Sequence, residues 1–262
     1  MATVAFCGLG KLGSPLAVAM ASKHKVIGYD VDSRLCCQRV HGQRESGLQP
    51  GSNFQPLFDA AVREGRLFFA SLRDAVEQSS IIFVCVQTPH EERFDGTHRL
   101  TDERADFNYD HLKEAVSHIV KWTKPEQTVA IISTVLPGTL RREVLPIAQG
   151  KCRLLYNPSF CSMGSVVADF LDPEFVLIGS DKSSDACSLF NFYGEFFVSN
   201  KFYPQRQPPF CNVSIESAEL VKVGYNLMIS QKIMYANCLM EIAHKVPGCD
   251  IDQVSGVLDY AT

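Results

Sequence analysis

The sequence predicts an α/β protein, a doubly wound parallel sheet followed by a long-helix α domain. Three observations predict it. Short, continuously apolar runs alternate with stretches of helical pattern, as expected for a parallel sheet covered on both faces. The first run leads directly into Gly8-Leu9-Gly10-Lys11-Leu12-Gly13 and then into a helix. Beyond Ser214, about thirty residues carry one helical pattern with broad apolar faces.

The elements follow in order. Residues 4–7 form the first strand, 15–22 the first helix and 25–29 the second strand, closed by Asp30; together they make a βαβ unit. A helix is expected over 31–42, a loop over 47–53 and another helix over 55–64. Residues 67–70 form a strand and 74–78 a short helix; 81–86 are a buried strand by their unbroken apolar run. Residues 88–106 are highly charged and form a solvated loop, with a mobile lid as the alternative. A helix near 109–122 precedes a strand over 128–133, and 153–156 and 176–178 are two further strands. Three prolines mark 203–211 as a linker, so the expected domains are a sheet domain over 1–205 and a helical domain over 206–262. Ser214 caps a helix reaching about residue 244. Leu220, Val223, Leu227, Ile233, Met234, Leu239 and Ile242 spread apolar surface around it. A helix of that length needs another domain or a partner chain to cover it, and a homodimer is the expected assembly. Gly248 breaks it and Asp250 starts a last short helix.

Composition narrows the function. The net charge is −4 over 262 residues, so there is no basic footprint for nucleic acid. No apolar run approaches the ~20 residues of a membrane span. Met1 leads straight into the first strand, so no signal peptide is expected and the expected location is cytoplasmic. The ten cysteines show no C-x-x-C and no zinc spacing; no metal is expected. Cys7 and Cys85 sit in apolar strands and act as small hydrophobes.

The chemistry-bearing residues cluster at strand ends. In Gly8-x-Gly10-x-x-Gly13 the first glycine allows the tight turn, the second lets backbone approach a pyrophosphate, and the third packs helix on strand. The helix N-terminus offers unpaired N–H groups to the phosphates. Asp30 closes the second strand, where an acidic residue holds a ribose 2′-hydroxyl. The pattern is that of a Rossmann-type domain binding NAD through Gly8, Gly10, Lys11, Leu12, Gly13 and Asp30. Arg34 leaves NADP as the alternative, because an arginine near this position can hold a 2′-phosphate. Val86, Thr88 and Thr134 end two central strands, where ligands of open α/β sheets sit. Each threonine taken singly is equally an ordinary strand-end hydroxyl. Lys222 and Asn226 share one helix face at i, i+4, and are either an acid/base pair facing a cleft or a solvated surface pair.

Taken together, Gly8 to Gly13, Asp30, Val86-Gln87-Thr88-Pro89, Ser133-Thr134-Val135, Asn157-Pro158-x-Phe160, Asp172-Pro173, Val176-Leu177-Ile178-Gly179 and Ser217-Ala218-Glu219-Leu220 with Lys222 and Asn226 resemble the UDP-glucose/GDP-mannose dehydrogenase family. The resemblance covers essentially the whole chain. It implies a nucleotide-sugar substrate, NAD as oxidant and a dimer formed by a central helical domain. It implies that Lys222 assists proton transfer or stabilises an oxyanion, and that Asn226 positions the reacting centre. It implies that Thr134 orders a water or contacts the nicotinamide, and that Asn157, Phe160 and Lys222 line the substrate site. The family oxidises a sugar alcohol to a carboxylate in two steps, the second through a cysteine in a G-G-x-C segment. This sequence holds no such segment, so complete oxidation to the uronate is not expected of it. Ser159 and Met163 also stand where the resemblance places glutamates; Cys161 in the same loop is a surrogate nucleophile at most. Two alternatives remain: a single-step alcohol or carbonyl oxidoreductase using Lys222 and Asn226, or a non-catalytic NAD-binding dimeric protein.

Overall fold

The computed structural model describes residues 2–36, 54–95, 97, 99, 102–197 and 207–260. These residues form two compact units, Met1–Leu220 and Val221–Thr262. The first unit is built on an eight-stranded sheet: β1 Thr3–Cys7, β2 Lys25–Tyr29, β3 Leu67–Phe69, β4 Ile81–Val84, β5 Thr128–Ile131, β6 Arg153–Tyr156, β7 Val176–Gly179 and β8 Phe210–Val213, in the order β3-β2-β1-β4-β5-β6-β7-β8. The order reverses at β1, between β2 and β4, and the ligand crevice of such a sheet lies at the carboxyl ends of these strands. The helices are α1 Gly13–Met20, α2 Phe54–Arg63, α3 Leu72–Glu77, α4 Asp110–Ile119, α5 Leu145–Ala148, α6 Val166–Leu171, α7 Ser183–Gly194, α8 Ile215–Ala243 and α9 Ile251–Leu258.

The α/β architecture matches the predicted one, a parallel sheet followed by a helical region. Alternation along each strand splits the core in two. On β1, Val4 and Phe6 join one apolar cluster with residues of α1, α2, α6 and α7. Ala5 and Cys7 join the other, with residues of α3, α4, α5 and the first turn of α8. The buried stretches of β1, β2, β4 and β5 therefore read as largely apolar runs, because both of their faces are covered.

Several details differ from the sequence expectation. β6 and β7 pair antiparallel, and only at Tyr156 and Gly179, so β7 and β8 run against the other strands. The expected linker ends in a strand: Phe210–Val213 pairs with β7, and the rest of that segment up to residue 206 lies outside the described residues. In place of the start of a helix at 31, Ser33–Cys36 is a 3-10 turn; residues 37–42 and the expected loop over 47–53 lie outside the described residues. α5, α6 and α7 fall where no helix was expected. Just before α5, Leu140–Val144 forms a π-helical turn.

His24 sits fully buried at the foot of β2. Its ring lies 4.5 Å from that of Phe192 and 4.7 Å from that of Phe196. The Ala2 N–H donates to Nδ1 at 3.2 Å, and Nε2 lies 3.7 Å from Glu195. Burial holds the imidazole below its ordinary pKa of 6.5, against the opposing pull of Glu195. The folded state therefore takes up this proton less readily than the unfolded chain. The stability that follows is complete above pH 6.5 and is lost as pH falls through the lowered value. Denaturant unfolding measured from pH 8 to about pH 5 should show wild-type stability falling faster than that of His24→Phe. Parallel profiles for the two proteins would remove His24 as the cause.

Candidate functional site

At the end of β1 the chain turns at Gly8 with φ +97°. The Gly8 N–H donates to the Tyr29 carbonyl at 2.9 Å, tying the turn to β2. A Cβ on Gly8 would lie 2.2 Å from the Cys85 carbonyl oxygen, and one on Gly13 would lie 1.9 Å from the Gly8 carbonyl oxygen. Neither position takes a side chain. Gly10 is different: a Cβ there meets nothing within 4 Å. The open side of the turn is therefore at Gly10. α1 starts three residues later, with no acidic residue in its first turn and no side chain capping it. The Ser14 N–H already donates to the Gly10 carbonyl at 3.1 Å and Pro15 has no N–H, so the Gly13 N–H and the positive dipole end of the helix are what α1 offers an anion. Lys11 is exposed beside them, and Leu12 packs against the core.

Asp30 closes the turn from the other side. One carboxylate oxygen accepts the Leu9 N–H at 2.7 Å and the other accepts the Asp32 N–H at 2.9 Å. An ionised carboxylate offers about four lone-pair sites, so capacity remains for ribose hydroxyls. Open backbone at Gly10, an uncapped helix start and an acid at the end of β2 together fit a dinucleotide. Arg34 points to Asp32, with Nε 2.9 Å from Oδ1 and Nη2 2.8 Å from Oδ2.

The ends of β4 and β5 are stitched to each other. Ser133 Oγ accepts the Val86 N–H at 3.0 Å and donates to the Val86 carbonyl at 2.7 Å. The Thr88 hydroxyl donates to the Thr134 carbonyl at 2.7 Å. Thr88 thus fixes the strand end, while the half-buried Thr134 hydroxyl makes no hydrogen bond among the described residues. The Tyr109 hydroxyl donates to Asp106 at 2.5 Å and accepts the Leu136 N–H at 3.2 Å, anchoring the next turn to the end of the charged loop.

Glu219, fully buried near the start of α8, accepts the N–H groups of Gly138 at 2.5 Å and Leu140 at 2.8 Å. Burial raises its pKa, and those two hydrogen bonds act against the rise. The carboxylate occupies the donors at the start of the π-helical turn and so holds the chain that follows Thr134.

After β6, Asn157 is interior. Its Nδ2 donates to the Leu177 carbonyl at 2.9 Å, and its Oδ1 accepts the Tyr193 hydroxyl at 2.5 Å. Its amide therefore bridges β6, β7 and α7, and its side chain anchors the loop rather than reaching out of it. Phe160 packs on Phe175, with ring centroids 4.6 Å apart. Ser159 Oγ accepts the Cys161 N–H at 3.4 Å, and Met163 is 56% exposed. Burial pushes the thiols of Cys7 and Cys85 up to about 12, which suits their reading as small hydrophobes.

In the second unit, Lys222 is only 9% exposed and its Nζ donates to Asn226 Oδ1 at 3.4 Å. Asn226 itself is exposed.

The structure thus brings Gly8, Gly10, Asp30, Val86, Thr88 and Thr134 to the carboxyl ends of the neighbouring strands β2, β1, β4 and β5. Sequence reasoning missed Ser133, Asp32 and Glu219 as residues that shape this edge. Asp30-x-Asp32-x-Arg34 carried a signal, since aspartates bond backbone two residues on. Glu219 carried one too, as an acid amid the apolar positions of Ser217-Ala218-Glu219-Leu220. Among the described residues, no group of histidine, cysteine and acidic side chains could hold a metal ion, and no helix is long and apolar enough to cross a membrane.

Comparison with known proteins places this geometry. Residues 2–197 match the UDP-glucose/GDP-mannose dehydrogenase family, NAD binding domain. A GDP-mannose 6-dehydrogenase of Pseudomonas putida is 25% identical, over 97% of this chain and 56% of its own length. The structure of a UDP-glucose dehydrogenase from Pyrobaculum islandicum superposes with a TM-score of 0.78 at 28% identity, over 98% of this chain and 56% of that one. A GDP-mannose dehydrogenase ternary complex from Pseudomonas aeruginosa shares the fold, with a TM-score of 0.80 at 24% identity, over 99% of this chain and 57% of that one. The chain spans about half the length of the curated relatives it matches. With three-quarters of its residues inside the matched region and the glycine turn built as an NAD-binding turn requires, the chain belongs to the UDP-glucose/GDP-mannose dehydrogenase family.

Proposed function

We propose that this chain is an NAD-dependent oxidoreductase that removes a hydride from a CH–OH group of a UDP- or GDP-sugar. The observation that carries this reading is the Lys222–Asn226 pair, a lysine almost wholly buried on a helix with an amide oxygen 3.4 Å from its Nζ. A long charged side chain is rarely buried unless it is paired. NAD, when bound, supplies the hydride acceptor. Gly10, beside the tight turn set by Gly8 and Gly13, would admit its pyrophosphate to the start of α1, and Asp30 would take the ribose hydroxyls. Lys11, Leu12 and Val86 border the same cleft, and Thr88 holds Thr134, whose hydroxyl is left for the nicotinamide or a water.

In this reading Lys222 would act as the base, its Nζ, when unprotonated, taking the proton of the sugar hydroxyl as the carbon gives up its hydride. The products are a carbonyl, reduced cofactor and a protonated lysine, so charge and atoms balance. Asn226 orients the hydroxyl, and Phe160 borders the sugar. One hydride transfer needs an acid/base group and no covalent intermediate. Ser159 and Met163 offer no carboxylate to activate water for a second step, so the residues of this chain support one oxidation rather than a complete conversion to the acid.

Residues 206–262 are proposed as the start of a helical dimerisation domain. α8 exposes Leu227, Ile233, Met234 and Ile242, apolar surface that a second copy would cover. A cytoplasmic location accords with nine unbridged cysteines among the described residues. The non-catalytic reading, an NAD-binding dimer without turnover, is favoured by Ser159 and Met163. Lys222→Ala separates the two. Oxidation of a UDP- or GDP-sugar, followed by NADH absorbance, should fall by about 10²–10⁴-fold while NAD affinity stays as in the wild type. Wild-type protein with no turnover on either class of sugar would favour the non-catalytic reading, and turnover unchanged by the substitution would remove Lys222 from the chemistry.

A further inference from the structure

We infer that Asp32 sets the choice between NAD and NADP by holding the Arg34 guanidinium away from the ribose 2′ position. The inference rests on the NAD-binding domain and is independent of the reaction proposed above. Asp30 ends β2, and Arg34 lies four residues on, in the 3-10 turn Ser33–Cys36. An arginine so placed is the group that a 2′-phosphate would recruit as a bidentate partner. Here its fork is taken. Nε and Nη2 of Arg34 bond the two oxygens of Asp32 at 2.9 and 2.8 Å, and the Arg34 backbone N–H donates to Asp32 Oδ1 at 3.1 Å. The Asp32 N–H in turn donates to Asp30 Oδ1 at 2.9 Å. Asp30 and Asp32 are thus wired in series, with Arg34 at the end of the wire. Among the described residues, two carboxylates and one guanidinium leave this corner net negative. It tolerates the uncharged 2′-hydroxyl of NAD and repels the dianionic phosphate of NADP.

Asp32 is the more exchangeable of the two acids, because Asp30 also holds the Leu9 N–H of the glycine turn. The side chain of Arg34 is 78% exposed and that of Asp32 27%, so removing Asp32 frees a mobile guanidinium without opening the core. An exposed ion pair contributes modestly, and loss of a nearby like charge adds to the gain. Calorimetric titration of the full chain with each nucleotide tests this. Asp32→Ala should bind NADP about tenfold more tightly than wild type, with NAD affinity altered by less than about twofold. The gain should shrink as salt rises, since these groups face solvent. It should vanish in the Asp32→Ala/Arg34→Ala double variant. An Asp32→Ala protein that binds NAD normally and gains nothing for NADP overturns the inference, and so does a gain that survives loss of Arg34.

Discussion

The first unit hangs on one close approach, the packing of the Gly8–Gly13 turn against its own backbone and against the end of β4. The space available to a Cβ is negative at two of its three glycines. At Gly8 the neighbour is the Cys85 carbonyl, and at Gly13 it is the Gly8 carbonyl. Backbone on both sides leaves nothing to give way. Because the turn is this tight, α1 begins directly above β1, where all its residues are buried, and its N-terminus faces the switch point of the sheet. Asp30 then locks the turn by accepting the Leu9 N–H. The acid proposed to hold a ribose is thus also a structural member of the turn.

The next strands along repeat the device with hydroxyls and a carboxylate. Ser133 bridges to Val86 through both its donor and its acceptor, Thr88 holds the Thr134 carbonyl, and Glu219 holds the backbone beyond it. Strand ends carry backbone groups that the sheet no longer pairs, and each must find a partner if buried. Polar side chains do that here, while the Thr134 hydroxyl makes no hydrogen bond among the described residues. The buried carboxylate of Glu219 is costly to desolvate, and its two backbone N–H bonds offset the cost.

How much of this could be read from the sequence depended on whether each segment was covered on both sides. β1, β2, β4, β5 and β6 announce themselves as apolar runs because helices or neighbouring chain bury them. β8 does not, because all four of its residues are only partly buried and it follows Pro208-Pro209, which looks like a linker. The reversed direction of β7 left no trace, since strand polarity depends on connections rather than composition. α5 and α6 are four and six residues long, too short for periodicity to emerge. The glycine turn was legible because Gly8 and Gly13 leave no room for a Cβ, and Asp30 because it directly follows the second strand. Asn157 was expected to line the substrate site, and its motif position gives no sign that Leu177 and Tyr193, distant in sequence, engage its amide. The pairing of Arg34 with Asp32 was equally hidden, because a charge near a ribose site looks the same from the sequence whether free or held.

The central claim is that Gly8 and Gly13 serve the fold whereas Gly10 is kept open for a pyrophosphate. Gly10→Ala addresses it directly, since a Cβ there meets no protein atom within 4 Å; Gly10→Val adds bulk on the same open side. Melting temperature and NAD titration would be measured together on both variants and the wild type. The account predicts wild-type melting with NAD binding abolished. A Gly10→Val protein that still binds NAD would contradict it, as would a Gly10→Ala protein that fails to fold.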